Sequence, residues 1–325
     1  MMRKLIIISI CFFITSSSLQ AQELFPLCEP ASNIPKGVLG LRAISNTYKE
    51  YDVWRNMSGV RVMYGLTSRL SIFASFTGSN HHGIDLPTNL VNHTHLGNQT
   101  LYFVSPFQRG IPYPYLFNGT DLYAKFRVLS FDGIKTHLRV ALYGEWSNVS
   151  VAHDEAEPNL MDDTKGYGSG LIVTYLKNHF AISLTSGFII PGAYLGTSFS
   201  PYGQAIPTTL EYGKAFTYNL SMGYLLYPKH YSSYKQVNVN LYTEFTGKTY
   251  GSAAVYQLGA EIPIQTPLLQ AGNYVDVHPG IQFIFNSNLR LDLSVGLPFI
   301  QQSYTHFYPF TYIAVQRYFY NPKKQ

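Results

Sequence analysis

Charge is what this 325-residue chain has least of. Lys, Arg, Asp and Glu together make up 13% of it, about half the share of an ordinary globular protein. It has no basic tract of the kind that grips a phosphate backbone, which argues against nucleic-acid partners. Cysteine is nearly absent: the chain has only Cys11 and Cys28. Cys11 falls in an N-terminal leader, so Cys28 stands alone in the mature chain and forms no intramolecular disulfide. Nor does Cys28 directly follow the leader's apolar run, where a lipid-anchored cysteine belongs. Beyond the leader no run of about 20 apolar residues occurs, which excludes a bundle of membrane-spanning helices.

The chain is rich in aromatics, at 15% with 27 Tyr and 21 Phe, and its apolar residues are spread over alternate positions. The clearest stretch is Val60–Thr77, VRVMYGLTSRLSIFASFT. Val60, Val62 and Tyr64 alternate with Arg61 and Met63. After a turn at Gly65-Leu66-Thr67-Ser68, Leu70, Ile72, Ala74 and Phe76 alternate with Ser71, Phe73, Ser75 and Thr77. Period-two alternation puts each set on its own face of a strand. Two strands of about ten residues, apolar on one face and joined by a tight turn, make one repeat of a membrane β-barrel.

The N-terminus reads as a secretory leader over residues 1–21: Arg3 and Lys4, an apolar run Leu5–Ile14, then small residues Ser16–Ala21. Cleavage after Ala21 removes two cations and leaves a mature chain of about +3. Residues 22–36, with Pro26, Pro30 and Pro35, read as a periplasmic lead-in, and 37–325 as the barrel. Strands are expected at Gly37–Ser45, the two arms of the opening hairpin, Asp121–Leu129, Thr136–Trp146, Tyr167–Leu176, His179–Ile190 and Tyr212–Tyr227. Others open at Val237, or cover Tyr274–Phe285, Leu289–Gly296 and Phe310–Tyr320. A loop is expected around Tyr48–Trp54, and long ones near 78–119, 148–165, 191–211 and 247–273.

The expectation is an all-β, transmembrane, antiparallel up-and-down barrel of about 12 strands, with 10 to 14 in range. Long connections follow odd strands and short turns follow even ones. Outer-membrane barrels show this asymmetry, with long loops outside and short turns in the periplasm; a soluble sandwich does not. The final strand carries Tyr312, Tyr318, Phe319 and Tyr320, the aromatic ending that bacterial barrels share, although Asn321–Gln325 runs past it.

Three segments, PASNIPKGVLGLR from Pro30, MYGLTSRLSIFASF and the late LRLDLSVGLPF, resemble a group of bacterial outer-membrane barrels. These are the transporter-like proteins named for the MetA pathway of phenol degradation. The leader's ending, SLQAQ, resembles those of Bacteroidetes secreted proteins. The resemblance implies channel-like movement of small aromatic or hydrophobic compounds and transfers no individual binding residue.

Alternation nominates a lumen lining. Arg42, Arg61, Lys125, Arg127 and Arg139, with Glu145 opposing, come from the first half of the chain. Glu244, Asp276, His278, Arg290 and Asp292 come from the second. Opposed cationic and anionic walls would set a field across a polar lumen. A barrel of this size is also narrow enough for the same residues to pair and plug it. Lipid-facing placement is excluded by cost, about 2–4 kcal/mol for each Arg or Lys at mid-depth.

Histidine is the other constellation. His81, His82, His93 and His95 share one long loop with Asp85; His153, Asp154, Glu155, Glu157, Asp162 and Asp163 fill the next. Imidazole suits Zn, Cu or Ni, but the spacing matches no defined metal site, and no cofactor is implied. Barrel lipid hydrolases resemble the chain in strand number. Their chemistry needs a nucleophile beside an oriented base, whereas His137, His278 and Ser294 are scattered. Gly247-Lys248-Thr249 lacks the upstream glycine of a phosphate loop, and Gly166, Gly168 and Gly170 lack the β-α context of a dinucleotide fingerprint. The reading is a non-enzymatic, passive outer-membrane barrel for small solutes, in contact with outer-membrane lipids. The rivals are an envelope lipid enzyme and a non-conducting adhesion or structural barrel.

Overall fold

The computed structural model describes residues 25–83, 92–96, 99–103, 110–153, 155–199, 205–230, 233, 235–264, 266–303 and 306–320. The expected leader at 1–21, residues 22–24, Asp85, Asp154 and the 321–325 tail lie outside the described residues. Twelve antiparallel strands form a closed barrel. They are β1 (Leu39–Glu50), β2 (Val53–Gly65), β3 (Leu70–Ser79), β4 (Leu116–Asp132), β5 (Thr136–Ser147) and β6 (Gly166–Lys177). The second half is β7 (Phe180–Pro191), β8 (Ala215–Tyr227), β9 (Asn238–Tyr250), β10 (Gly272–Phe285), β11 (Leu289–Gln302) and β12 (Phe310–Phe319). Each pairs with its chain neighbours, and β1 closes on β12 from Leu39↔Phe319 to Tyr48↔Phe310. Closure leaves no unpaired edge, which a spanning sheet in hydrocarbon requires.

The two faces are the inverse of a soluble protein's. Leu41, Val60, Ile72, Phe126, Leu142, Leu184 and Ile313 are exposed on the outer wall, while Arg42, Lys125, Glu244 and Asp292 are buried inside. Pleat geometry explains it: neighbours along a strand take opposite faces, so the alternation of Val60–Thr77 becomes outside and inside.

Short turns close the even strands, as at Leu66–Arg69 and 286–288, and long connections follow β3, β5, β7 and β9. The first connection differs from expectation. The loop expected around Tyr48–Trp54 is mostly strand, and only Tyr51 and Asp52 turn, with Tyr51 at positive φ. Strand β4 also breaks the simple alternation. A bulge between Arg127 and Leu129 puts Val128 and Leu129 both on the exposed face, because a bulge adds one residue to one strand only.

The long loops fold over one end of the barrel. Tyr194–Phe199, Ala205–Glu211, Ala254–Gln257 and Ala260–Ile262 form a four-stranded sheet. It packs Leu210, Val255 and Ile262 with Ala152 and Leu269 in an apolar core. Loop 148–165 dips into the barrel, where Ala156 and Leu160 are almost fully buried.

Residues 25–36 lie inside the barrel and not below it, which corrects the periplasmic lead-in over that part of it. Phe25, Cys28, Ala31 and Ile34 are buried. The chain enters at the short-turn end, where Gly37 (φ +77°) reverses it. There Gly37 N–H donates to Gly65 carbonyl at 2.7 Å. Gly65 must lack a side chain: a Cβ there would lie 2.1 Å from the Pro35 carbonyl oxygen.

Candidate functional site

The internal segment has no strand pairing, so its backbone polar groups need other partners in a space without bulk water. The inner wall supplies them. Glu244 accepts from Leu27 N–H at 2.8 Å, Cys28 N–H at 2.9 Å and Ser221 Oγ at 2.9 Å. Ala31 N–H donates to Thr174 Oγ1 at 2.8 Å and Ile34 N–H to Ser71 Oγ at 3.0 Å. Lys125 Nζ donates to the Pro30 carbonyl at 2.7 Å, and Arg42 to the Pro26 carbonyl. The segment's one carboxylate, Glu29, lies between Arg61 and Lys125, 3.1 Å from each. Buried charge is tolerable only when paired in this way.

Above this segment, at the long-loop end, is a vestibule of about 290 Å³. Leu27 forms part of its floor. Tyr48, Arg55 and Met57 line one wall, and Thr246, Asp276 and His278 the other. Phe307 from the last loop stacks on Tyr48, with ring centroids 6.0 Å apart and planes 5° apart. Arg55 pairs with Glu50 and lies 5.1 Å over the Tyr113 ring.

Two ionisable clusters border the vestibule. In the first, His306 bridges Glu157 at 2.9 Å and Asp276 at 3.0 Å. Lys248 reaches the other Glu157 oxygen at 2.6 Å. Burial alone would depress the imidazole, but the two carboxylates push it up to about 10. Burial would likewise raise Glu157, yet Lys248 and His306 hold it well below the usual carboxylate range. The second cluster joins His81 and His82 to His153, Asp162 and Asp163 of the next loop. His81 Nε2 lies 3.2 Å from Asp162 and His153 Nε2 3.6 Å from Asp163. Burial lowers His82 and His153 below the ordinary imidazole value. For His81, Asp162 outweighs burial and raises it.

No family model matches the chain, and no curated protein matches it. Among solved structures it is similar to an outer membrane channel from Pseudomonas putida F1. The identity is 12%, 91% of this chain and 100% of that one are covered, and the TM-score is 0.54. That likeness shows the fold. A monoaromatic hydrocarbon channel, CymD, is 11% identical over 89% of this chain and 90% of its own, with a TM-score of 0.37. LpxR from Salmonella typhimurium is 7% identical over 87% of this chain and 100% of its own, again with a TM-score of 0.37. Neither of these two carries an argument.

All eleven nominated lumen residues sit on barrel strands, most of them with polar partners and not as opposed bare walls. Arg42 and Arg290 converge on Asp292 at 3.3 and 2.8 Å, joined by Gln282 at 2.9 Å. Arg61 and Lys125 share Glu29. Arg127 donates to Ser68 carbonyl at the short-turn end, and Arg139 to Asp132 and Ser32. Glu145 faces inward beside Asp121, and His278 meets Thr246 at 2.8 Å. Glu244 and Asp276 hold the segment and His306 respectively. Of the four nominated histidines, His81 and His82 meet His153; His93 and His95 lie in Asn92–Leu96, whose side chains are outside the described residues. Glu157 was named only among the loop acids; Glu29 and His306 were missed, because each sits in a stretch without periodicity and acquires its partners only through closure of the barrel.

Proposed function

We propose that the chain is an outer-membrane barrel that passes small solutes passively, by way of the vestibule and a lumen closed by residues 25–36. One observation carries the reading: the vestibule's floor belongs to a segment bound by side chains and not by strand pairing. Such a segment can leave without breaking the barrel wall. Tyr48, Met57, Phe307 and Phe310 give the vestibule apolar and aromatic surface among ionisable groups, which suits solutes with an apolar part. The fold shared with a solved outer membrane channel supports the location and the conduit. The three sequence segments support kinship with the MetA-pathway barrels of Bacteroidetes type, exported by a leader cut after Ala21.

The test is planar-bilayer conductance of a lockable variant. Cys28 N–H and Ser221 Oγ both donate to Glu244 Oε2 at 2.9 Å, which makes them neighbours, so Ser221→Cys with a mild oxidant ties the segment to the wall. Oxidised protein should stay closed and thiol reduction should restore solute-sized conductance steps. If reduced, oxidised and wild-type proteins are all silent, the lumen is a permanent plug and the structural-barrel reading replaces this one.

A further inference from the structure

The loop over the vestibule gathers imidazoles that the conduit does not use. Two backbone contacts and one side chain bring them together. An isolated antiparallel bridge joins Gly83 to Ala152, which sets His82 next to His153, with rings 5.3 Å apart. Val151 N–H donates to the Asp163 carbonyl at 3.0 Å. Asn118 Nδ2 donates to the Asp162 carbonyl at 2.6 Å and to its side chain at 3.2 Å. Segments 81–83, 151–153 and 162–163 are therefore held together before any ligand arrives.

The side chains so placed are not content with one another. His81 and His82 have ring centroids 3.8 Å apart. Buried nitrogens His81 Nδ1, His82 Nε2 and His153 Nδ1 have no hydrogen-bond partner, although His82 is only 8% and His153 only 1% exposed. His82 Nε2 stops 3.7 Å from Asp163, too far for a hydrogen bond. Buried polar atoms are normally satisfied, and an unpartnered nitrogen on each of three neighbouring imidazoles calls for an electrophile.

We propose that His81, His82 and Asp163 bind a divalent transition-metal ion of the nitrogen-preferring class, such as Zn2+, with His153 beside them. One ligand atom from each of the three lies within 4.8 Å of the others. Bonds of about 2.0–2.1 Å to nitrogen and oxygen need a separation of about 3.3 Å, so the rings turn inward by about 1 Å. Two imidazoles and a carboxylate form a donor set that zinc accepts, leaving a fourth position for His153 or water. The Asp162 carboxylate on His81 is the outer-sphere partner that orients a ligating imidazole, and Asn118 fixes that carboxylate in turn. His81, His82 and Asp163 all line the vestibule, which gives the ion its way in. Bound there, the ion ties the loop after β3 to the loop after β5 across the vestibule's rim.

The full mature chain, folded in detergent and stripped with chelator, is titrated with Zn2+ against a chromophoric competitor. Co2+ is added separately as a spectroscopic probe. The expected result is one Zn2+ per chain and a Co2+ visible band of four- or five-coordinate intensity. His81→Ala/His82→Ala and Asp163→Ala should each weaken binding by at least about 100-fold, with the heat-modifiable gel mobility of a folded barrel retained. His93→Ala/His95→Ala should leave it unchanged. Absence of Zn2+ binding by the wild type overturns the site. So does binding that survives His81→Ala/His82→Ala, or that is lost only in His93→Ala/His95→Ala.

Discussion

Glu29 shows how one residue decides what fills the barrel. It places a single negative charge between Arg61 and Lys125, on a segment that otherwise binds mainly through backbone groups. Removing one member of a buried pair typically costs about 3–5 kcal/mol, because the partner charge stays buried. Here the chain has a cheaper response than unfolding, since the segment can lift away and admit water to both cations. Cys28 is the ideal reporter, as the one cysteine after residue 11 and buried beside Glu244. Glu29→Gln is expected to raise the rate of Cys28 alkylation by at least about tenfold while barrel thermal stability changes little. An unchanged rate would show that the hydrogen bonds to Glu244, Thr174 and Ser71 hold the segment alone.

At the scale of elements, the strands were legible and what lies between them was not. Alternation in Val60–Thr77 marks β2 and β3, with Arg61 inward and Ile72 outward, because the pleat admits no other arrangement. The bulge in β4 was illegible, since an inserted residue leaves the local pattern apolar. Residues 25–36 carry three prolines and no period, and nothing local to them says whether they lie in water or in a lumen. Only Gly65, crowded by Pro35, records the contact. Gly65→Ala therefore strikes the segment and not the wall: its Cβ would lie 2.1 Å from the Pro35 oxygen. Trypsin or alkylating reagent applied to the folded barrel should find the segment released, with the gel mobility of the barrel intact.

The last loop, 303–309, makes a pH-dependent prediction at the same scale. His306 faces Glu157 and Asp276 directly, and Tyr274, Tyr308, Lys248 and His278 lie around that group. Its folded value, about 10, exceeds the ordinary 6.5, so its contribution is complete below pH 6.5 and is lost as pH rises through 10. Glu157 is depressed from 4.5, so its part is complete above pH 4.5 and lost in acid. The difference in Tm between wild type and His306→Gln should be greatest between pH 4.5 and 6.5 and vanish above pH 10. A constant difference from pH 5 to 10 would mean that His306 acts by packing alone.

The whole molecule is an inside-out protein, and that inversion is its most directly testable property. Polar groups meet one another within the lumen: Arg42, Arg290 and Gln282 on Asp292, the backbone of 25–36 on Glu244 and Thr174. The outer wall carries the apolar side chains that a soluble chain would bury. Leu184, near the middle of β7 and 54% exposed, pairs with Val173 and Leu220 on its neighbours, so its side chain leaves the wall near mid-height. In a bilayer, Arg at that position should cost about 2–4 kcal/mol, the penalty for a cation on the lipid face at the midplane. In detergent micelles, where water reaches the belt more easily, the cost should be smaller. Denaturant unfolding of Leu184→Arg in phospholipid vesicles and in micelles separates the two. Equal midpoints for variant and wild type in vesicles would place β7 outside the hydrocarbon. A loss confined to vesicles fixes the apolar belt around the same barrel whose inner face holds the segment.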